Sequence, residues 1–143
     1  MPAGSESAWQ RANTDWFMRC RWGVFACYLA DTASNLKPID LTIDDWNRRV
    51  DAFDVQGLTR QLVKAQVPYF ILTIGQNSGF YLSPNRTYDE ITGIKPGKCS
   101  RRDLVADLAH AFQPHGIRLL VYLPGAAPMN DAVAKEKLES PPD

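Results

Sequence analysis

The fold is decided by the stretch Tyr69-Phe-Ile-Leu-Thr-Ile-Gly-Gln-Asn-Ser-Gly-Phe80, which changes from apolar to polar within one residue. Its first half is a continuous apolar run, typical of a parallel strand that is buried on both faces. In the second half, Gly75 and Gly79 enclose three polar residues. Parallel strands carry their ligand sites at their carboxyl ends. The stretch therefore predicts a ligand site at Gln76 and Asn77, and the alternative is a polar turn whose amides only cap backbone groups.

Two further apolar runs have the length and character of buried strands. One lies at about Trp22 to Tyr28, with Trp22 expected inside the core, and the other runs from Ile117 to Leu123. The starts of the three strands are spaced almost regularly along the chain. Such spacing is typical of repeated strand and helix units.

Helical patterns occupy the segments between these strands. Thr42, followed three residues later by Asp45, resembles a capping box, and Asp54 can cap a second helix. The segment Ser100–Asp103 repeats the cap pattern, which favours a structural role for its charged residues. A short helix is also predicted between Trp9 and Phe17. The order of strands and helices predicts an α/β fold with a parallel sheet.

The connections that follow the strands are long, whereas those that return from helix to strand are short. In (β/α) barrels, the loops after the strands build the active-site face. Residues 75–98 are rich in Gly, Pro, Asn and Ser and are predicted to form a long functional loop. Asp89 and Glu90, on this loop, could face a ligand.

The composition excludes several classes of function. Sixteen basic and sixteen acidic residues cancel, so neither nucleic acid nor an anionic membrane surface is an expected partner. No apolar run approaches the ~20 residues of a membrane span. The start of the sequence lacks a secretory pattern, so a cytoplasmic location is expected. Three cysteines without a Cys-x-x-Cys pair argue against a disulfide framework, and neither a metal nor a cofactor is predicted.

Three ordered blocks of the sequence resemble the α-L-fucosidase-type glycoside hydrolases. Trp16-Phe17, followed by Arg21-Trp-Gly-Val-Phe25, is similar to that family's opening pattern. Ile71-Leu-Thr73, followed by Gly79-Phe80, resembles its second-strand motif Leu-Thr-x-Lys-His-His-Asp-Gly-Phe. Arg102-Asp103-Leu-Val105, with the strand that ends at Tyr122, resembles its Arg-Asp-Leu-Val helix start and the strand that follows. The resemblance extends from about Trp16 to Tyr122.

This resemblance implies a TIM-type (β/α)8 catalytic domain that uses a carboxylate nucleophile and a separate acid/base carboxylate for retaining hydrolysis. Because such a barrel typically needs ~250 residues, the 143 residues are expected to hold about its first three βα units. Residues 1–125 form the amino-terminal portion of the catalytic domain in this interpretation. Residues 126–143 form a polar tail or the start of the next unit. The catalytic residues would then lie beyond residue 143, and the chain alone would be inactive.

In the family, histidines after the first two strands hydrogen-bond the sugar. Here Cys27 and Tyr28 stand at the positions of the first His and its neighbouring Trp, and Gly75 to Ser78 replace the Lys-His-His-Asp run. Amide side chains can still donate and accept hydrogen bonds. The resemblance thus implies that the substrate-binding residues are Gln76, Asn77, Tyr28 and Cys27, for a sugar that need not be fucose. The alternatives are packing at the barrel mouth for Tyr28 and a small buried apolar role for Cys27.

Two functions follow from these observations. The first is an α-L-fucosidase-like glycoside hydrolase whose active site is incomplete in this chain. The second is a non-catalytic carbohydrate-binding or interaction module derived from the same fold, and an unrelated small α/β domain is a third possibility. A carbohydrate is the expected ligand. Since an open three-stranded sheet has unpaired edges, a complementary barrel half or a second copy of the chain could be a further partner.

Overall fold

The computed structural model describes residues 13–30, 41–125 and 127–138. Its strands are β1 (Val24–Cys27), β2 (Tyr69–Thr73) and β3 (Arg118–Tyr122). They form one parallel sheet in the order β1-β2-β3, with β2 at the centre. The predicted α/β class and the three parallel strands are confirmed. The sheet in the described residues is open, so the TIM-type barrel stays a prediction.

Six α-helices lie in the described part of the chain. They are α1 (Asp15–Cys20), α2 (Ile43–Asp51), α3 (Val55–Lys64), α4 (Arg86–Thr92), α5 (Leu104–Phe112) and α6 (Ala132–Lys137). The capping box predicted at Thr42 and Asp45 begins α2, and Asp54 begins α3 by accepting from the Gly57 N–H at 2.7 Å. The cap of α5 is Asp103, which accepts from the Ala106 N–H at 2.9 Å.

Two helices lie elsewhere than the sequence indicates. Helix α1 runs beyond the predicted Trp9 to Phe17 segment, and Trp9 is outside the described residues. The segment predicted to be one long loop contains α4. Asn85 starts this helix by accepting from the Tyr88 N–H at 3.0 Å, and Gly93 ends it in the left-handed conformation.

The main core lies on one face of the sheet, beneath α2, α3 and α5. Phe70 and Leu72 of β2 are 2% and 1% exposed. They belong to one apolar cluster with the helix residues Trp46, Val50, Val55, Leu62, Leu104, Leu108 and Phe112. Each large side chain buried in this way contributes about 1.5–3 kcal/mol to stability. This layer holds the strands in register and fixes where their carboxyl ends lie.

Among the described residues, helix α1 covers the opposite face of the sheet at one end. At the amino ends of the strands, Trp16 and Phe17 of α1 pack against Tyr69, with ring centroids 6.2 and 4.9 Å away. Towards the carboxyl ends, Phe25 and Tyr122 are 53% and 45% exposed and contact each other edge to face. The sheet therefore presents an apolar, partly aromatic surface that opens towards the loops after the strands.

Trp22 is not in the core, contrary to the prediction. Its side chain is 49% exposed, and it precedes the first residue of β1. β1 is an edge strand in the described part of the chain, so no neighbouring strand covers Trp22. Among the described helices, none is long and apolar enough to span a membrane.

Candidate carbohydrate site

A row of three side chains marks the carboxyl end of the sheet. The strand register places Cys27 next to Thr73, and Thr73 next to Tyr122. Partner residues in adjacent parallel strands point to the same side of a sheet. The Cys27 Sγ and the Thr73 Oγ1 are 3.2 Å apart, and Thr73 is fully buried. Cys27 itself is exposed, so the small buried apolar role considered for it does not apply.

The polar turn after β2 is held by Ser78. Its backbone N–H and its hydroxyl both donate to the Gln76 carbonyl, and its Oγ accepts from the Phe80 N–H at 3.5 Å. Asn77 has a φ of 53°, a left-handed conformation that asparagine tolerates better than most residues. Ser78, at 7% exposure, thus caps the turn from within.

Gln76 and Asn77 are left out of this internal bonding. Within the described residues, neither side-chain amide has a hydrogen-bond partner, and both residues are half-buried. The alternative that the amides cap backbone groups of the turn does not describe the structure, because Ser78 does so. Two amides at the carboxyl end of the central strand are free to bind a ligand.

Tyr28 lies apart from the row formed by Cys27, Thr73 and Tyr122, and its role as a sugar ligand stays a prediction. Tyr28 follows β1 directly and points opposite to Cys27, into the helix layer. Its ring stacks on Trp46 at a centroid distance of 6.0 Å, and its hydroxyl donates to the Arg49 carbonyl at 2.9 Å. In this structure the Tyr28 ring is packed in the helix layer, against Trp46 and Phe53.

Tyr122 is a candidate site residue that was missed. It lies on the same side of the sheet as Cys27 and Thr73 and exposes much of its side chain. The signal was available in the sequence, because residues 118, 120 and 122 alternate with the core-facing residues of the third strand. Tyr122 thus places a partly exposed aromatic ring at the carboxyl end of β3, next to the end of β2.

A buried polar cluster lies behind the turn, and it comprises Lys98, Asp131, Tyr81, Tyr88 and Cys99. Lys98 forms an ion pair with Asp131, and Tyr81 packs edge to face on Tyr88 at 4.8 Å. Burial raises the pKa of Tyr81 to about 12 and also raises that of Tyr88. Burial opposes ionisation of Asp131 as well, but hydrogen bonds from Lys98 and from the Ala134 N–H outweigh it and lower its pKa.

Arg102 and Asp103 serve the framework rather than the site, as expected. The Arg102 guanidinium donates from one nitrogen to the carbonyls of Val50, Asp51 and Phe53, at 2.8, 3.0 and 3.2 Å. These carbonyls belong to the end of α2 and the residues after it, where helical partners run out.

Asp89 and Glu90 both line an open groove of about 530 Å³ beside α4, so a ligand role for them stays a prediction. Glu90 is 3.6 Å from Arg86 on the exposed side of α4. The Asp89 carboxylate lies under Gly97, with one oxygen buried and without a hydrogen-bond partner among the described residues. The described residues include no group of three or more potential metal ligands.

Comparison with known proteins finds similarity in structure but not in sequence. No protein-family profile matches the chain, and a search of curated proteins finds no significant match. Among solved structures, a bacterial fucosidase bound to an iminocyclitol inhibitor superposes with a TM-score of 0.59 and 16% identity, covering 91% of this chain and 36% of its own. An α-L-fucosynthase from Thermotoga maritima superposes with a TM-score of 0.52 and 19% identity over 77% of this chain and 35% of its own.

A GH29 α-L-fucosidase from Bacteroides thetaiotaomicron gives a TM-score of 0.53 and 16% identity, over 91% of this chain and 36% of its own. The chain thus spans about a third of the length of these enzymes. Each of these proteins carries the name of a fucosidase or a fucosynthase, and the similarity at this level of identity is one of fold. The described residues have the fold of part of an α-L-fucosidase.

Proposed function

We propose that this chain is the amino-terminal part of an α-L-fucosidase-like glycoside hydrolase domain, and that it contributes one wall of a sugar site. The proposal rests above all on the free amides of Gln76 and Asn77, which stand at the carboxyl end of the central strand. The fold similarity supports the same location, because (β/α) barrel enzymes bind substrates at that end of the strands. The uncharged amides of these two residues can recognise hydroxyl groups through hydrogen bonds.

The wall would bind a sugar through complementary contacts. Each amide offers both donors and acceptors, which match the vicinal hydroxyls of a monosaccharide. The exposed ring of Tyr122 offers an apolar surface at the end of the neighbouring strand. Since amides carry no ionisable proton, Gln76 and Asn77 would bind and orient the ring without transferring a proton.

Hydrolysis needs groups that these strand ends do not present. A retaining glycosidase uses two carboxyl groups about 5–5.5 Å apart. The row at the carboxyl ends in the described residues consists of Cys27, Thr73 and Tyr122, none of which is a carboxylate. We assign the nucleophile and the acid/base to further βα units, in the same polypeptide or in a complementary chain.

The open edges of the sheet support such further units. β1 and β3 each have one side unpaired within the described residues. Beside β1, a groove of about 420 Å³ runs between the strand and α3 and is lined mainly by apolar side chains, among them Val24, Leu58 and Leu62. An additional strand with its helix would cover both features, as in a barrel wall.

Nuclear magnetic resonance titration tests the sugar site. We expect monosaccharides, L-fucose among them, to shift the side-chain amide signals of Gln76 and Asn77. Gln76→Ala should weaken the sugar-induced shift of the Asn77 amide, and Asn77→Gly, which suits the φ of 53° there, should weaken that of Gln76. Gln56→Ala, on the exposed start of α3, should leave both shifts unchanged. Shifts confined to other parts of the chain, or none with a panel of hexoses and deoxyhexoses, would contradict the proposed site.

Hydrolysis of an aryl fucoside tests the assignment of the catalytic groups. The purified 143-residue chain should show none. Hydrolysis that persists in the pure chain would place both carboxylates within it and overturn this part of the proposal. Circular dichroism melting addresses the alternative module, since a sharp cooperative transition together with sugar binding would favour a self-sufficient binding domain.

A further inference from the structure

We propose that Lys98 and Asp131 form a positioning pair, which fixes the turn carrying Gln76 and Asn77 to the loop after β3. The benefit for sugar binding rests on the proposed function. The mechanical claim concerns the turn itself and can be tested without a ligand. This claim follows from contacts among three separate parts of the chain, namely residues 76–80, Lys98 and residues 130–131.

Lys98 contacts the turn at two residues, Ser78 and Phe80, in addition to its ion pair with Asp131. Its Nζ donates to the Ser78 carbonyl at 3.3 Å and lies 5.1 Å from the centroid of the Phe80 ring. The same ammonium forms an ion pair with Asp131. The Lys98 side chain is 27% exposed and that of Asp131 is 6% exposed, so water screens this pair poorly.

Asp131 links the pair to the next element. Its Oδ1 accepts from the Ala134 N–H at 2.9 Å and thereby caps α6, while its Oδ2 faces Lys98. The preceding residue, Asn130, donates its backbone N–H to the Asn77 carbonyl at 2.7 Å. Residues 130 and 131 therefore hold the turn both directly and through Lys98.

Gly79 allows this close approach. Its φ is 77°, and a Cβ atom there would lie 3.1 Å from the Tyr88 hydroxyl and 3.3 Å from the Cβ of Asp131. The turn thus packs directly against Asp131 and Tyr88, and a side chain at residue 79 would be both strained and crowded. The bonds made by Ser78 shape the turn internally, whereas Lys98 and the residues 130–131 anchor it to the rest of the fold.

The consequence is that removing either charge should loosen the turn. Deleting one partner leaves the other charge buried without compensation, which costs more than the pair itself gains. The loss should appear as local opening of residues 75–82, since the core beneath α2, α3 and α5 does not depend on the pair.

Hydrogen exchange measured by mass spectrometry tests the pair. We expect Lys98→Met and Asp131→Asn to accelerate exchange in residues 75–82 on the order of tenfold, the effect of losing a hydrogen bond to a charged group. Asparagine caps helices as well as aspartate does, so α6 should keep its protection in Asp131→Asn. Arg86→Met, which removes a cation from an exposed pair on α4, is the matched control and should change nothing in this segment.

Two further variants show whether the residues act together. Lys98→Arg keeps the charge and should restore much of the protection. The double variant that combines Lys98→Met with Asp131→Asn should exchange no faster than the worse single variant, because the pair is one interaction. Additive effects of the two single substitutions would overturn the proposal. So would exchange of residues 75–82 in Lys98→Met and Asp131→Asn that is no faster than in the control Arg86→Met.

The sugar titration separates the two proposals. If the wild-type chain binds sugar and Lys98→Met binds it several-fold more weakly, the pair positions the site. Loosening of the turn without any sugar binding by the wild type would support the pair and contradict the proposed function. Equal binding by wild type and Lys98→Met, despite a loosened turn, would overturn the role of the pair in positioning the amides.

Discussion

The cysteines illustrate, at the scale of single residues, how position sets reactivity. Burial, followed by the neighbouring Asp89 carboxylate, raises the pKa of the Cys99 thiol to about 12, whereas Cys27 is exposed at the end of β1. The thiolate is the reactive species. Cys99 is therefore protonated at any pH that the folded chain would ordinarily meet.

Alkylation tests this difference. At pH 8, iodoacetamide should modify Cys27 and spare Cys99 in the folded chain, and both should react in denaturant. Peptide mass spectrometry gives the rates, with Cys27→Ser as the control for background labelling. Comparable rates at the two thiols in the folded chain would show that Cys99 is not shielded.

The ionisation of Asp131 predicts a dependence of stability on pH. Its pKa is lowered in the folded chain, so the folded state binds its proton less readily than the unfolded state does. The resulting stability is present above the ordinary pKa of aspartate, about 3.9, and is lost as the pH falls through the lower folded value.

Denaturant unfolding at a series of pH values measures this contribution. The wild-type free energy of unfolding should fall between about pH 5 and pH 2, and Asp131→Asn should show a shallower fall. Some slope should remain in the variant, because the capping Thr42 lowers the pKa of Asp45 too. Identical slopes for the two proteins would mean that Asp131 has no net preference for its charged form in the fold.

At the scale of elements, Arg102 joins the end of α2 to the start of α5. Its guanidinium bonds three carbonyls at one end and reaches Asp107 of α5 through a 2.7 Å bond from Nε. Removing it would leave partly buried carbonyls without donors. The two helices share the main core, so their relative placement depends on this side chain.

Substitution of neighbouring arginines measures that role. Arg102→Ala should lower the free energy of unfolding by about 2–3 kcal/mol, because hydrogen bonds to charged groups are among the stronger ones. Arg101→Ala should change it by less than about 0.5 kcal/mol, since its side chain is 70% exposed and lies 3.5 Å from an exposed Asp44. Similar losses for both variants in denaturant titrations would refute the capping role.

The elements also show what the sequence could predict. The presence and order of the strands and the positions of the caps were predictable from local patterns, because each depends on a few neighbouring residues. Helix α4 was missed because it has no long apolar stripe, and its buried Tyr88 packs on a second small cluster with Tyr81 and Ala134. Tyr28 points opposite to Cys27, as the alternation of side chains along a strand predicts. The contacts of its ring in the helix layer depend on tertiary packing instead.

At the scale of the whole molecule, the described residues cover one face of the sheet only in part. Phe25 and Tyr122 expose about half of their surfaces there, and both edge strands lack a partner in the described residues. Apolar patches and open edges of this kind promote association. The core on the other face, in contrast, is closed by three helices.

Analytical ultracentrifugation tests whether the exposed apolar face promotes association. The chain should self-associate as its concentration rises, and the double substitution Phe25→Ser with Tyr122→Ser should reduce this association. Val63→Ser is the matched control, because Val63 is exposed to a similar degree on α3, away from the sheet. A wild-type chain that stays monomeric at high concentration would show that the exposed face does not promote self-association.

Gly75 and Gly79, on either side of the turn, are required by the backbone and its packing rather than by a ligand. A Cβ atom at Gly75 would clash with the Tyr81 ring, and Gly79 is closely confined as well. Residue 76 has no such restriction, whereas the φ of 53° at Asn77 favours asparagine, aspartate or glycine there. A combinatorial library that randomises residue 76 and varies residue 77 among these three would therefore sample new sugar preferences on an unchanged scaffold. Variation at either glycine would instead lower the yield of folded protein.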